Sequence, residues 1–195
     1  LSAFETFYDE KRPFFVAGRS AFGFGGMRCM FCTNSSGLSA FYSRRIGRSP
    51  QLAGAVRDAS DYSDIPDDAT ILGAAKITGR TDGGYTIGVL NALTGRETAD
   101  YVADVGAEEV VQVVEPLTNY FVGRVEKELR GGASTFGGIL TSVARRLDEP
   151  LLRDNLRSHA EAAGVDWFHA WNGRAHSWMG SVLFSNVGGS ADAIA

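Results

Sequence analysis

The sequence predicts an all-β protein, an antiparallel up-and-down β-barrel of the transmembrane type, present here as an incomplete piece. Three observations predict it. Apolar and polar residues alternate in paired runs between residues 69 and 187. Each pair is joined by a glycine-rich turn, Asp82-Gly83-Gly84, Gly131-Gly132 or Asn172-Gly173. The pairs are separated by long polar connections at 94–118 and 145–157. Tight turns at one end and long loops at the other are the pattern of outer-membrane barrels. Twenty-four glycines against five prolines in 195 residues suit closely spaced strands and tight turns rather than helices.

Residues 1–37 show no dependable period and are read as a segment leading into the barrel, with the pair Cys29 and Cys32 in it. The hairpins of one incomplete barrel domain occupy 38–195. A first strand is expected at 38–47, followed by an Asp/Ser-rich loop at 49–68 that holds Pro50 and Pro66. In the first clear hairpin, a three-residue Asp82-Gly83-Gly84 loop aligns Ile77 with Val89 and Gly79 with Ile87. Lys76, Thr78, Arg80 and Thr86 then share the other face.

The second hairpin turns at Gly131-Gly132. Phe121, Val125, Leu129, Phe136 and Leu140 fall on one face, with Lys127 among them, and Tyr120, Arg124, Glu126, Glu128, Thr135 and Thr141 on the other. In a barrel these charges line a polar lumen; in a soluble sandwich they form a solvated outer face. In the third hairpin, Asn172-Gly173 reads as a two-residue turn that pairs Trp171 with Arg174, His169 with His176 and Trp167 with Trp178. Aromatics near the turn giving way to Val165, Val182 and Phe184 fit a lipid-interface girdle above an aliphatic band, with Trp167, Trp171 and Trp178 in the girdle.

Composition excludes several classes. A net charge of −4 gives no electrostatic basis for binding nucleic acid. No apolar run is long enough for a transmembrane helix, but barrel strands need only about ten alternating residues. Six or seven strands are visible, so closure is expected to need residues beyond Ala195.

Signals for chemistry are few. Cys29-Met30-Phe31-Cys32 has no helix after it to activate a thiol and lacks the four ligands of a zinc site, so a short-loop disulfide is expected. The Arg44, Arg45 and Arg48 cluster suits bidentate binding of phosphate or carboxylate, or neutralises acidic residues inside a barrel, the preferred reading. Arg124, Glu126, Glu128 and Asp166 are the lumen-facing ligand candidates. Of these, Glu126, Glu128 and Asp166 would be the carboxylates of a carbohydrate-active enzyme. Gly23-Phe24-Gly25-Gly26 completes no dinucleotide fingerprint, His169 and His176 alone are two ligands short of a metal site, and no cofactor is expected.

Seven segments together resemble a bacterial family. They are Glu10-Lys11-Arg12-Pro13-Phe14-Phe15-Val16-Ala17-Gly18, Phe41-Tyr42-Ser43-Arg44-Arg45-Ile46-Gly47-Arg48, Ile71-Leu72-Gly73-Ala74-Ala75-Lys76-Ile77-Thr78-Gly79-Arg80-Thr81, Gly88-Val89-Leu90-Asn91-Ala92-Leu93-Thr94, Glu115-Pro116-Leu117-Thr118-Asn119-Tyr120-Phe121-Val122-Gly123-Arg124, Ser134-Thr135-Phe136-Gly137-Gly138 and Gly164-Val165-Asp166-Trp167. The family they resemble has an N-terminal domain similar to family-nine carbohydrate-binding modules, followed by a long outer-membrane β-barrel domain of unknown function. The resemblance implies that this chain is the first part of that barrel, with the carbohydrate-binding-like domain upstream. Ala17-Gly18 stands where the family pattern has Glu-Gly, so no charge-based role carries over there. The expected function is an outer-membrane barrel for uptake, surface binding or display, with membrane lipid as a partner and glycans as a candidate ligand class. The alternatives are a soluble periplasmic ligand-binding barrel or sandwich, and a carbohydrate-active enzyme.

Overall fold

The structure is a computed structural model that describes residues 8–25, 40–104 and 106–194. The chain runs through α1 (Pro13–Val16), 3-10 turns at Arg19–Phe22 and Ser43–Arg45, α2 (Ala53–Asp58) and β1 (Tyr62–Asp64). Next come β2 (Ile71–Arg80), β3 (Tyr85–Thr94), β4 (Glu97–Val102), β5 (Val110–Glu115), β6 (Thr118–Leu129) and β7 (Ser134–Arg145). After α3 (Pro150–Asn155) follow β8 (His159–Trp171), β9 (His176–Gly188) and α4 (Ala191–Ile194). The fold is all-β and antiparallel: a six-stranded sheet ordered β2-β3-β6-β7-β8-β9 and a three-stranded sheet ordered β1-β4-β5. The larger sheet is open, with β2 and β9 at its edges, and no closed barrel forms among the described residues.

The first two hairpins have the expected registers. Ile77 pairs with Val89 and Gly79 with Ile87, while Gly84 takes the positive φ (76°) that closes the turn. Leu129 pairs with Ser134, and Lys127 with Phe136. The third hairpin differs from expectation by two residues. Trp171 pairs with His176, His169 with Trp178 and Trp167 with Gly180, because Asn172, Gly173 and Arg174 all adopt positive φ and build a longer turn. A shift of two keeps every side chain on its expected face. It also sets Gly180 opposite Trp167, where a Cβ would lie 2.5 Å from the indole Cζ2.

Three expected loops carry structure, and one expected strand does not. The 94–118 connection contains the β4/β5 hairpin, which prolongs β3 and β6 beyond the main sheet and pairs with β1. The 145–157 connection contains α3, started by Pro150 at a position where a missing N–H costs nothing. The 49–68 stretch contains α2 and β1. The described part of the expected 38–47 strand forms the Ser43–Arg45 turn instead. One small core joins these pieces: Leu52 just before α2 and Val56 within it, Ala99, Val113 and Val114 of the small sheet, and Leu152 and Leu156 at α3.

The two faces of the main sheet are in opposite situations. On one, Leu90, Ala92, Tyr120, Val122 and Ile139 pack under Phe15, Phe22, Phe24 and Ile46 of the N-terminal segment. Burying each such phenylalanine contributes ~1.5–3 kcal/mol. Two glycines make the close approach possible: a Cβ at Gly88 would lie 3.0 Å from Phe22 Cε1, and one at Gly164 would lie 2.6 Å from Phe24 Cζ. Lys76 on the same face reaches the carbonyls of Phe14 and Ala17 and so ties the end of α1 to β2. The other face is open, and Ile77 and Phe184 on it are each 72% exposed.

Candidate functional site

Strand alternation places Arg124, Glu126 and Asp166 on the covered face. There the Arg124 guanidinium crosses β7 from β6 to β8. Its Nη1 donates to Asp166 Oδ1 (2.6 Å), and Nη2 donates to Asp166 Oδ2 (2.9 Å) and Glu126 Oε2 (3.2 Å). The crossing runs over Gly137, where any Cβ would strike the guanidinium nitrogens. Above it lies the Phe24 ring, 5.8 Å from Cζ, and the Gly25 N–H donates to Asp166 Oδ2 at 3.1 Å. The Arg124 side chain is 1% exposed. Two guanidinium–carboxylate contacts in parallel are among the strongest pairings that side chains make.

Of the four lumen-facing candidates, three therefore form one unit, and Glu128 lies apart in an ion pair with Arg80. All three carboxylates proposed for hydrolysis are held by arginines. The sequence reading missed the cover: Phe24 and Gly25 belong to the motif examined only as a nucleotide loop. The Phe22-x-Phe24 spacing facing Gly88 and Gly164 was the available signal.

On the open face, side chains stand in tiers across the sheet. Nearest the short turns are Trp171 and His176, then His169 and Trp178, then Tyr85, Phe136 and Trp167. Two apolar tiers follow, carrying Ile87, Val125, Val165 and Val182, then Ile77, Val89, Leu140 and Phe184. A mixed tier with Asn91, Ser142, Glu161 and Asn186 comes next. Lys127 bends its ammonium onto the Gly83 carbonyl and over the Tyr85 ring (4.0 Å), which leaves its stem along the apolar surface. Trp167 and Trp178 touch diagonally at 5.4 Å, and Trp171 stacks between His169 and His176. The histidines do not face each other as expected. Among the described residues no group of three or more His, Cys, Asp or Glu is close enough to hold a metal.

The basic cluster sits at the 42–49 turn. Arg44 Nη1 donates to the Asp9 carbonyl (2.9 Å), and its Cζ lies 5.8 Å from the Tyr8 ring centroid. Arg44, Arg45 and Arg48 all line a cleft shared with residues 10–12. Beside it, Arg12 donates to Glu10 and to the carbonyls of Ile46 and Ser43, which anchors the N-terminal segment to the turn. Ser43 Oγ donates to Glu10 at 2.7 Å. These bonds, chiefly those from Arg12, hold the Glu10 carboxyl at about 2 against partial burial. Cys29 and Cys32 lie outside the described residues.

No curated protein and no solved structure shows significant similarity to the chain. One family model matches residues 1–188, which takes in every strand and both clusters. The chain belongs to that family, DUF5916, a domain of unknown function.

Proposed function

We propose that this chain forms part of an outer-membrane β-barrel, with the open face toward lipid and the N-terminal segment seated inside as a plug. The carrying observation is the inverted polarity of the main sheet. The centre of its charged face is buried under the N-terminal segment, and its apolar face is exposed over all six strands. Soluble proteins rarely leave so large a contiguous apolar surface uncovered. Strand length supports the reading. From the Trp171 tier to the Glu161 tier the chain covers about 33 Å along β8, or about 25 Å when tilted roughly 40°, the height of an outer-membrane apolar band. The aromatics occupy one end of that band, where interfacial girdles lie. The β1-β4-β5 sheet then belongs to the outer loops, and further strands pair with the edges of β2 and β9. Uptake or surface binding of nutrients follows from a plugged barrel. Glycans are the ligand class we propose, on the sole ground of a carbohydrate-binding-like domain that the sequence resemblance would imply upstream.

The test is heat-modifiable gel migration of the complete gene product extracted from outer membranes in mild detergent. A fast-migrating band that slows after boiling is expected, and Phe184→Arg should abolish it. Wild-type protein found only in the soluble periplasmic fraction would overturn the reading in favour of a soluble ligand-binding sheet.

A further inference from the structure

The N-terminal layer contains a cleft of about 450 Å³ between residues 10–12 and the 42–49 turn. Its size falls within the roughly 300–1,000 Å³ typical of small-molecule sites. Five cationic side chains line it, Lys11, Arg12, Arg44, Arg45 and Arg48, against two carboxylates, Glu10 and Asp68. Glu10 is engaged already, because it accepts from Arg12 and Ser43. Arg12 is equally engaged, since its two Nη groups bind Glu10 and the carbonyls of Ile46 and Ser43. That pair cancels, and even without Arg45 the other walls carry Lys11, Arg44 and Arg48 against Asp68. Arg44 is immobilised there by the Asp9 carbonyl.

Arg48 supplies an independent sign. Its Nε–H is shielded from water and has no hydrogen-bond partner among the described residues. Shielded donors of this kind are normally satisfied. The nearby Arg145 repeats the pattern, with its own Nε lacking a partner, and both arginines are within electrostatic reach of Tyr120. The buried Glu115 carboxylate lies in the same surroundings, but it accepts from Gln51 and from neither arginine Nε.

We propose that this cleft binds a small molecule bearing an oxyanion, a carboxylate or phosphate on a body of about monosaccharide size, with Arg44 and Arg48 holding the anion. Guanidinium forks match the two oxygens of either group. Tyr42 adds an aromatic wall, and the Asp68 carboxylate is placed to accept from hydroxyl groups of the same ligand. The site does not depend on the sheet crossing a membrane.

Calorimetric titration of the full-length protein with sodium phosphate, sodium glucuronate and glucose tests this. Saturable binding of at least one anion, weakened by added salt, is expected, with none for glucose. The tighter of the two anions identifies the natural head group. Arg44→Gln with Arg48→Gln should weaken binding by about tenfold or more. Arg48→Lys, which keeps the charge without the fork, should fall between and guards against a folding defect in the double variant. Two results would overturn the proposal: no saturable binding of either anion up to about 10 mM, or undiminished binding by the folded double variant. Neither depends on where the protein fractionates, so this proposal and the barrel reading fail separately.

Discussion

Replacing Asp166 with asparagine is the sharpest probe of how the N-terminal segment is held. The wild-type carboxylate is 16% exposed and faces a guanidinium that is 1% exposed. Removing one partner of a buried ion pair costs about 3–5 kcal/mol, because the survivor is left charged in a dry place. Here the loss is partial. Glu126 still contacts Nη2 at 3.2 Å, and an asparagine carbonyl keeps one acceptor, which returns about 1 kcal/mol. The expected destabilisation is therefore about 2–4 kcal/mol. Urea unfolding followed by tryptophan fluorescence reads it, since Trp167, Trp171 and Trp178 lie on β8 and β9, on the opposite face of the sheet, and report its unfolding. The pair Arg124→Met with Asp166→Leu removes both charges and should recover most of the loss. An Asp166→Asn protein within about 0.5 kcal/mol of wild type, or a double variant no better than the single one, would refute the buried lock.

Other outcomes follow from the same contacts. Gly164→Val should expel Phe24 from its seat, because the new side chain also meets the Val182 carbonyl, and trypsin should then cut near Arg19 at least several-fold faster. Gly180→Val should displace the Trp167 indole and shift its fluorescence, with a stability loss of about 1–3 kcal/mol from overpacking. Acid should loosen the N-terminal anchor. The Glu10 carboxyl sits at about 2 when folded and at 4.5 when unfolded, so its stabilisation is complete above pH 4.5 and disappears as pH falls through 2. That contribution is on the order of 2–3 kcal/mol. The urea midpoint of wild type should therefore fall more steeply than that of Glu10→Gln between those two pH values.

How much of this was legible in the sequence depends on the range of each contact. Face assignments in the hairpins were readable, because period-two alternation and glycine turns are local and strand pairing preserves them. The third register slipped because a non-glycine residue, Arg174, joins Asn172 and Gly173 at positive φ, which its chemistry does not announce. Arg124, Glu126 and Asp166 were placed on one face, but their union required knowing that Gly137 leaves a passage between them. The β4/β5 hairpin was hidden in an acidic stretch whose apolar partners, α2 and α3, lie far off in the chain. The N-terminal cover was illegible for the same reason, since no local period reports contacts with strands so distant.

That distance has a consequence for the order of assembly. The hydrogen bond from Gly25 to Asp166 closes a loop of 141 residues, an entropic cost of roughly 4 kcal/mol if the intervening chain were still unfolded. The cost shrinks once the strands between are already in register, so docking of Phe24 and Gly25 comes after β8 has joined β7. A segment that precedes the strands in the chain is thus the last to settle on them, and the sheet is built as a receptacle before its occupant arrives. A contact made after the main folding barrier slows unfolding far more than it speeds folding. The contact of Gly25 with Asp166 therefore acts as a latch that sets how long the finished molecule stays shut.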